Sequence, residues 1–295
     1  MRGRIMNALF TRMQADEHVF FLTADMGINL VEKIQQAFPS RYLNVGIAEQ
    51  NLIGVSAGLC NVGYRPVVYT ISQFLTHRCY EQIRNDVAIH GYPVTLLGTS
   101  AGYDNAPLGP THHIPDDWGA LRAIPNIDIY CPSSMAYADG LLERILSQPR
   151  AAYVRIPKGS FEQPASADNV VYLPGVLHGP LLISYGSMVQ PCLKVQARHQ
   201  EVAVLVCNRL RPLDEERVGD ALRRHPAAWI VEDHFPSSGL YSLLCQFVLE
   251  QRLGCRLHSV APREEYCLTV GGSAEYYHRR YGCDETGIER ALWPS

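Results

Sequence analysis

Short runs of apolar residues alternate along the chain with longer segments in which apolar positions recur at helical spacing. In the first half, the runs rich in β-branched and aromatic residues predict buried strands at Val19–Leu22, Pro66–Tyr69, Val94–Leu97 and Ile127–Tyr130. The segments with helical spacing lie at Glu49–Leu59 and Tyr80–His90. This regular alternation favours an α/β fold, in which a mostly parallel sheet is flanked by helices.

One stretch rich in proline and glycine interrupts the alternation, because residues 155–175 show little periodicity. Beyond it the pattern restarts, with predicted strands at 181–186, 202–206 and 228–231 and predicted helices at 214–225 and 239–252. We therefore predict two domains, each a mostly parallel sheet flanked by helices. We place the first domain at residues 1–157, a linker at 158–175 and the second domain at 176–295.

Composition narrows the class of function. The formal net charge of the 295 residues is −3, and Lys and Arg are spread along the chain, so we expect no nucleic-acid partner. No apolar run approaches the length of a membrane span, and polar residues from Thr11 onward come too soon for a signal peptide. The nine cysteines are scattered without a C-x-x-C pair, which predicts reduced thiols in a cytoplasmic protein and no metal site.

Three stretches carry candidate chemistry. Glu49 stands among apolar neighbours, as either a solvated helix-start acid or a functional acid in a dry site. Phe74, His77 and Tyr80 are spaced by three and could share one helix face, which is more often a core pattern than a cofactor platform. The loop 102–113 follows a strand and contains two histidines, and ligands bind at such strand ends in open α/β sheets.

Taken together, these stretches resemble the pyrimidine-binding domain of transketolase-like thiamine diphosphate enzymes. The resemblance rests on Ile47-Ala48-Glu49-Gln50, on the aromatic Phe74 and on the loop Gly109-Pro110-Thr111-His112, in that order. It continues more weakly through Val231–His234 and Gly239, so it spans nearly the whole chain. It implies a pyrimidine-binding domain followed by a transketolase C-terminal-like domain.

The resemblance implies a role for several side chains. Glu49 corresponds to the catalytic acid that hydrogen-bonds the pyrimidine ring nitrogen of thiamine diphosphate. Phe74 corresponds to the ring that stacks on the pyrimidine. Asp25, His77 and Tyr80 fall at other positions of the cofactor pocket, although the family often has an aromatic residue where His77 stands. A further catalytic residue is implied by His112, which matches a histidine that contacts the substrate oxygen.

The implied substrate site departs from the usual family pattern. Positions that bind a sugar phosphate in ordinary transketolases align with Asn29, Ser100 and Leu108. Arg155 matches an arginine that grips phosphate, with Lys158 nearby, and arginine suits bidentate anion binding. We therefore expect transfer of a two-carbon ketol unit from a small keto substrate that differs from the standard pentose phosphates.

The resemblance also implies a partner. The family's Gly-Asp-Gly motif, which helps to hold a divalent metal and the diphosphate, does not occur in this sequence. We expect a separate subunit to hold Mg²⁺ or Ca²⁺ and the diphosphate, in an α2β2 heterotetramer. Three alternatives stay open: a 2-oxo acid decarboxylase or dehydrogenase E1 beta-type subunit, a deoxyxylulose-phosphate-synthase-like enzyme, and a non-catalytic scaffold. The sequence alone does not give the donor, the acceptor or the pathway.

Overall fold

A computed structural model describes residues 1–294 of the chain and contains two sheets. The strands are β1 (Val19–Thr23), β2 (Tyr42–Asn44), β3 (Arg65–Ile71), β4 (Thr95–Thr99), β5 (Ile127–Tyr130), β6 (Ala151–Ile156), β7 (Val170–Leu173), β8 (Leu181–Ser184), β9 (Ala203–Cys207), β10 (Arg209–Arg211), β11 (Ala227–Val231) and β12 (Arg256–Val260). The α-helices are α1 (Arg2–Ala15), α2 (Glu32–Ala37), α3 (Glu49–Asn61), α4 (Tyr80–Gln82), α5 (Asp117–Arg122), α6 (Met135–Asp139), α7 (Leu141–Leu146), α8 (Val189–Arg198), α9 (Glu215–Arg224), α10 (Leu240–Glu250), α11 (Ala274–Tyr281) and α12 (Glu285–Leu292).

The first sheet has seven strands in the order β10-β5-β6-β4-β3-β1-β2, and all neighbours are parallel except the β10–β5 pair. Its central strands β3, β4 and β6 are almost wholly buried. Continuous apolar strands of this kind are typical of parallel sheets covered on both faces. Helices α1, α6 and α7 enclose one core on one face of this sheet.

The second sheet has five strands in the order β12-β11-β8-β9-β7, and only β7 is antiparallel to its neighbour. Helices α8 and α12 pack together over one core of this sheet. The largest core takes side chains from both sheets and from α3, α5, α9 and α10. Each sheet with its helices forms one domain, and the two domains share this apolar contact. The predicted fold class is confirmed.

Two strands lie where the sequence analysis placed none. β7 lies within the segment 158–175, which was predicted as a linker, and it forms the edge of the second sheet. β10 follows β9 directly but pairs with β5 of the first sheet, so the chain crosses back to the first domain at this point. The predicted helix at 80–90 is also altered, because π-helical turns at Phe74–Arg78 and Ile83–Ala88 flank the short α4.

Candidate active site

The candidate residues collect at the carboxyl ends of the parallel strands of the first sheet. Asp25 follows β1, Glu49 follows β2, Phe74 follows β3 and Ser100 follows β4. The carboxyl ends of parallel strands meet at one edge, so the alternation of strand and helix brings these distant positions together. Lys158 follows β6 at the same edge.

Glu49 is buried, with 3% of its surface exposed, and it is the first residue of α3. The amino end of a helix favours a carboxylate, because the helix dipole places partial positive charge there. Its Oε2 accepts a hydrogen bond of 2.5 Å from Nη1 of Arg78. Glu49 is therefore not a solvated helix-start acid but a sheltered carboxyl group with a single cationic partner.

Phe74 forms the second wall of the same small site. The guanidinium carbon of Arg78 lies 4.2 Å from the centre of the Phe74 ring. The ring of His112 meets Phe74 edge to face, with 5.3 Å between centroids. Thr111 Oγ1 lies 3.0 Å from His112 Nδ1 and fixes the orientation of that imidazole. Glu49, Phe74 and His112 are therefore linked around the guanidinium of Arg78.

His77 turns to a different group of residues. Its Nε2 lies 3.3 Å from Oδ2 of Asp116, and its Nδ1 lies 3.0 Å from Oγ1 of Thr76. Burial disfavours the charged ring, but the hydrogen bond and negative charge of Asp116, with the charge of Asp117, outweigh it and raise the pKa of His77. Tyr80 is half-buried and packs against the large core.

Asp25 and Asn29 border an open cleft of about 560 Å³, which Met26, Gly27, Ile28 and Ser160 also line. Both residues have positive φ, at 48° and 62°. The side chain of Asn44 is bonded to the backbone N–H and to the carboxylate of Asp25, and the N–H of Asn29 donates to Glu32. The side chains of Asp25 and Asn29 are exposed at the same edge as Glu49.

Ser100, Leu108 and Lys158 were expected to contact substrate. Ser100 is buried with φ of 68°, whereas 57% of the surface of Leu108 is exposed. Lys158 Nζ donates to the backbone oxygen of Asp104 and to the side chain of Asn105, at 2.8 Å each. The ammonium group of Lys158 is thus engaged in holding the loop after β4. Burial raises the pKa of the Asp104 carboxyl group to about 6, although the backbone N–H of Lys158 partly opposes this.

Arg155 does not face the open edge, in contrast with the substrate role expected for it. It is 1% exposed, and its Nε donates to both carboxylate oxygens of Asp117 at 3.0 Å. Its Nη1 donates to Asp233 Oδ1 at 2.9 Å. Burial alone would raise the pKa of Asp233, but the charge of Arg155 reverses this and lowers it. Since Asp233 follows β11 of the second sheet, Arg155 joins the two domains, and this placement does not support anion binding.

His234 completes the buried group around Arg155. Its Nε2 accepts the backbone N–H of Gly119, and its Nδ1 lies 3.0 Å from the carbonyl oxygen of Phe235. Burial lowers the pKa of His234 to about 4, despite the nearby charge of Asp117. The ring is therefore neutral at physiological pH and serves as a packing and hydrogen-bonding group between the domains.

Four residues of this region were not singled out from the sequence: Arg78, Asp116, Asp117 and Asp233. Arg78 lies in a stretch where polar and aromatic side chains are mixed, so no periodicity marks it. Asp116 and Asp117 open a helix of six residues, which is the ordinary position for acids. Only their spatial neighbours, which come from distant parts of the chain, distinguish them.

Within residues 1–294, no group of three or more His, Cys, Asp or Glu side chains is arranged to hold a metal ion. In the same described part of the chain, no helix combines the length and the apolar character that crossing a membrane requires.

The fold and the site define a two-domain α/β protein whose candidate site lies at the carboxyl edge of the first sheet. Comparison with known families matches residues 1–163 to the transketolase pyrimidine-binding domain and residues 180–284 to the transketolase C-terminal domain. The chain therefore belongs to the transketolase family of thiamine diphosphate-dependent enzymes.

Individual relatives fall into two groups. A 1-deoxy-D-xylulose-5-phosphate synthase of Rhodopirellula baltica is 29% identical over 89% of this chain, which covers 42% of that protein. One subunit of the apulose-4-phosphate transketolase of Actinobacillus succinogenes is 31% identical over 72% of this chain and 71% of its own length. The chain spans less than half the length of the first synthases that it matches, from 39% to 47%.

Among solved structures, a split-gene transketolase in the form of an inactive beta4 tetramer superimposes with a TM-score of 0.87. It is 23% identical, and the match covers 99% of this chain and 96% of that one. The likeness confirms the fold of both domains over almost their full length.

Proposed function

We propose that the chain is one subunit of a split transketolase-type enzyme and binds the pyrimidine half of thiamine diphosphate. The observation that carries this proposal is the buried carboxylate of Glu49, which shares the Arg78 guanidinium with the ring of Phe74. A second polypeptide holds the diphosphate and its divalent metal, Mg²⁺ or Ca²⁺. The reaction is the transfer of a two-carbon ketol unit between a keto substrate and an acceptor.

The residues at this edge fit an aminopyrimidine ring. A flat group with N–H donors, the guanidinium of Arg78, already lies on the Phe74 ring and bonds to Glu49. An aminopyrimidine is also flat and offers nitrogen donors and acceptors at its edge. Glu49 would hold the ring nitrogen, Phe74 would stack on the ring, and Asp25, His77 and Tyr80 stay proposed members of the cofactor site.

Thiamine diphosphate, when bound, supplies the electron sink for making and breaking carbon–carbon bonds next to a carbonyl group. Glu49 holds and returns one proton at its carboxyl oxygen, and its burial keeps that proton from bulk water. His112 borders the same site and would hydrogen-bond the substrate oxygen through Nε2, because Thr111 occupies Nδ1.

Two likenesses support the partner subunit. The solved split-gene transketolase and the Actinobacillus transketolase subunit are both single subunits, and this chain covers most of each. By analogy with these chains, we propose an α2β2 heterotetramer in which each active site lies between different subunits. A cytoplasmic location stays a prediction.

We propose that the substrate is not a standard pentose phosphate. Leu108 exposes an apolar side chain where the family pattern has an aspartate that recognises a substrate hydroxyl. A leucine offers no hydrogen bond to a hydroxyl group, so a substrate that lacks this hydroxyl loses nothing at the site. Because Arg155 and Lys158 are engaged within the protein, Asn29 and the cleft beside it are the remaining candidates for the distal end of the substrate.

A second reaction is favoured by the identity of 29–32% to deoxyxylulose-phosphate synthases, which places a 2-oxo acid among the possible donors. An E1 beta-type role belongs to the same chemistry. A donor panel with the reconstituted pair of subunits separates these reactions. It should contain xylulose 5-phosphate, apulose 4-phosphate and pyruvate, with carbon dioxide release as the marker of decarboxylation. Fastest turnover of xylulose 5-phosphate would refute the proposed departure from pentose phosphates.

The role of Glu49 is tested by Glu49→Gln, which keeps the shape of the side chain but removes its acid. We expect turnover by the reconstituted pair to fall by at least about 100-fold, as for the loss of a general acid or base. Sedimentation should show unchanged assembly. Glu81→Gln, at an exposed position on the next helix, is the matched control. Unchanged turnover in Glu49→Gln would instead favour the non-catalytic scaffold.

A further inference from the structure

The position of Arg78 leads to an inference that rests on the proposed function of Glu49 and Phe74. We propose that Arg78 is a gating residue, whose guanidinium occupies the pyrimidine site in the ligand-free chain and must leave before the cofactor ring binds. This role concerns access to the site and is separate from the reaction itself.

The contacts of Arg78 are those that a stacked pyrimidine ring would need. Its Nη1 donates to Oε2 of Glu49 at 2.5 Å, and its guanidinium carbon lies 4.2 Å from the centre of the Phe74 ring. One flat group therefore uses both the carboxylate and the ring face. A pyrimidine ring could not stack at the same place or bond to the same oxygen while the guanidinium remains there.

The local backbone explains how Arg78 reaches both partners. The turn Phe74–Arg78 is π-helical, with a wider turn than an α-helix, and such turns are frequent at functional sites. The backbone oxygen of Arg78 also accepts a hydrogen bond of 3.1 Å from Nε2 of Gln50, the residue after Glu49. The backbone of Arg78 is thus fixed to α3, and only its side chain needs to move.

Burial shows which partner can leave. The side chain of Glu49 is 3% exposed, so its charge depends on a nearby cation. The side chain of Arg78 is 42% exposed, so its guanidinium can rotate outward and regain water. The arrangement protects a buried carboxylate until a ligand replaces the cation.

The test measures ligand binding and needs no turnover. The isolated full-length chain would be titrated with 4-amino-5-hydroxymethyl-2-methylpyrimidine by calorimetry, as wild type, Arg78→Ala and Arg78→Gln. The apparent dissociation constant scales inversely with the open fraction of the site, so we expect roughly tenfold tighter binding in both variants. Arg84→Ala is the control, because Arg84 lies on the next π-turn and bonds only to the side chain of Asn85. It should bind as wild type does.

A second measurement guards against unfolding of the variants. Without ligand, Arg78→Ala should lower the melting temperature because Glu49 loses its partner, and Glu49→Gln/Arg78→Ala should recover part of that loss. Saturating pyrimidine should raise the melting temperature of Arg78→Ala more than that of the wild type. Binding by the wild type with equal or weaker binding by both Arg78 variants overturns the gate and leaves the cofactor site in place. Absence of pyrimidine binding in every variant overturns the proposed cofactor site together with the gate.

Discussion

At the scale of single residues, Gly102 shows how closely the two domains approach beside the site. It lies in the loop after β4 with φ of 52°, in the left-handed region that favours glycine. A Cβ atom at this position would overlap the carboxylate of Asp233, which belongs to the second domain. The same carboxylate bonds to Arg155, so it cannot move aside without breaking a buried ion pair.

Gly102→Ala should therefore lower the free energy of unfolding by about 3–5 kcal/mol, as backbone strain and overpacking combine. Gly91→Ala is the matched control, because Gly91 has φ of 66° but open space around a Cβ. Its expected cost is only about 1 kcal/mol, from strain alone. Denaturant unfolding of both variants measures the difference. Equal losses would mean that the approach of Asp233 costs nothing.

At the scale of elements, the sequence predicted the central strands correctly and the edge strands poorly. Buried strands such as β3 and β4 are continuous apolar runs, and these runs are visible without a structure. β12 is mostly exposed and β10 has only three residues, so neither leaves a periodic signal. Their pairing depends on partners that are distant along the chain.

The π-helical turn explains why the site was predicted only in part. Spacing by three placed Phe74, His77 and Tyr80 on one helix face. In the structure Phe74 joins Glu49 and His112, whereas His77 pairs with Asp116. A wide turn changes which side chains are neighbours, and nothing in the order of apolar and polar positions reveals it. The resemblance to a family identified Glu49 and Phe74 but not Arg78, which lies between them.

At the scale of the whole molecule, the buried group around Arg155 joins the two domains. The guanidinium lies between Asp117 of the first domain and Asp233 of the second, with Tyr153 donating to Asp117 at 2.7 Å. Removing one member of such a group leaves uncompensated charge in a dry interior. The contact also holds the loop after β4, which leads to His112, against the second domain.

Arg155→Met should reduce the free energy of unfolding by about 3–5 kcal/mol, because two buried carboxylates lose their cation. We also expect calorimetry to resolve two thermal transitions in place of one, as the domains uncouple. Arg150→Met is the control, since Arg150 is half exposed and pairs with Asp128 at the protein surface. A single sharp transition at the wild-type temperature would show that the apolar contact alone unites the domains.

The crossing of β10 bears on how the protein can be divided. Residues 209–211 come from the second half of the sequence yet form the outer strand of the first sheet. A fragment cut at residue 163 would leave the N–H and C=O groups of β5 facing water along one side. Free strand edges recruit other chains and promote aggregation. A soluble pyrimidine-binding fragment therefore has to carry its own substitute for three residues that the intact chain supplies from beyond the cut.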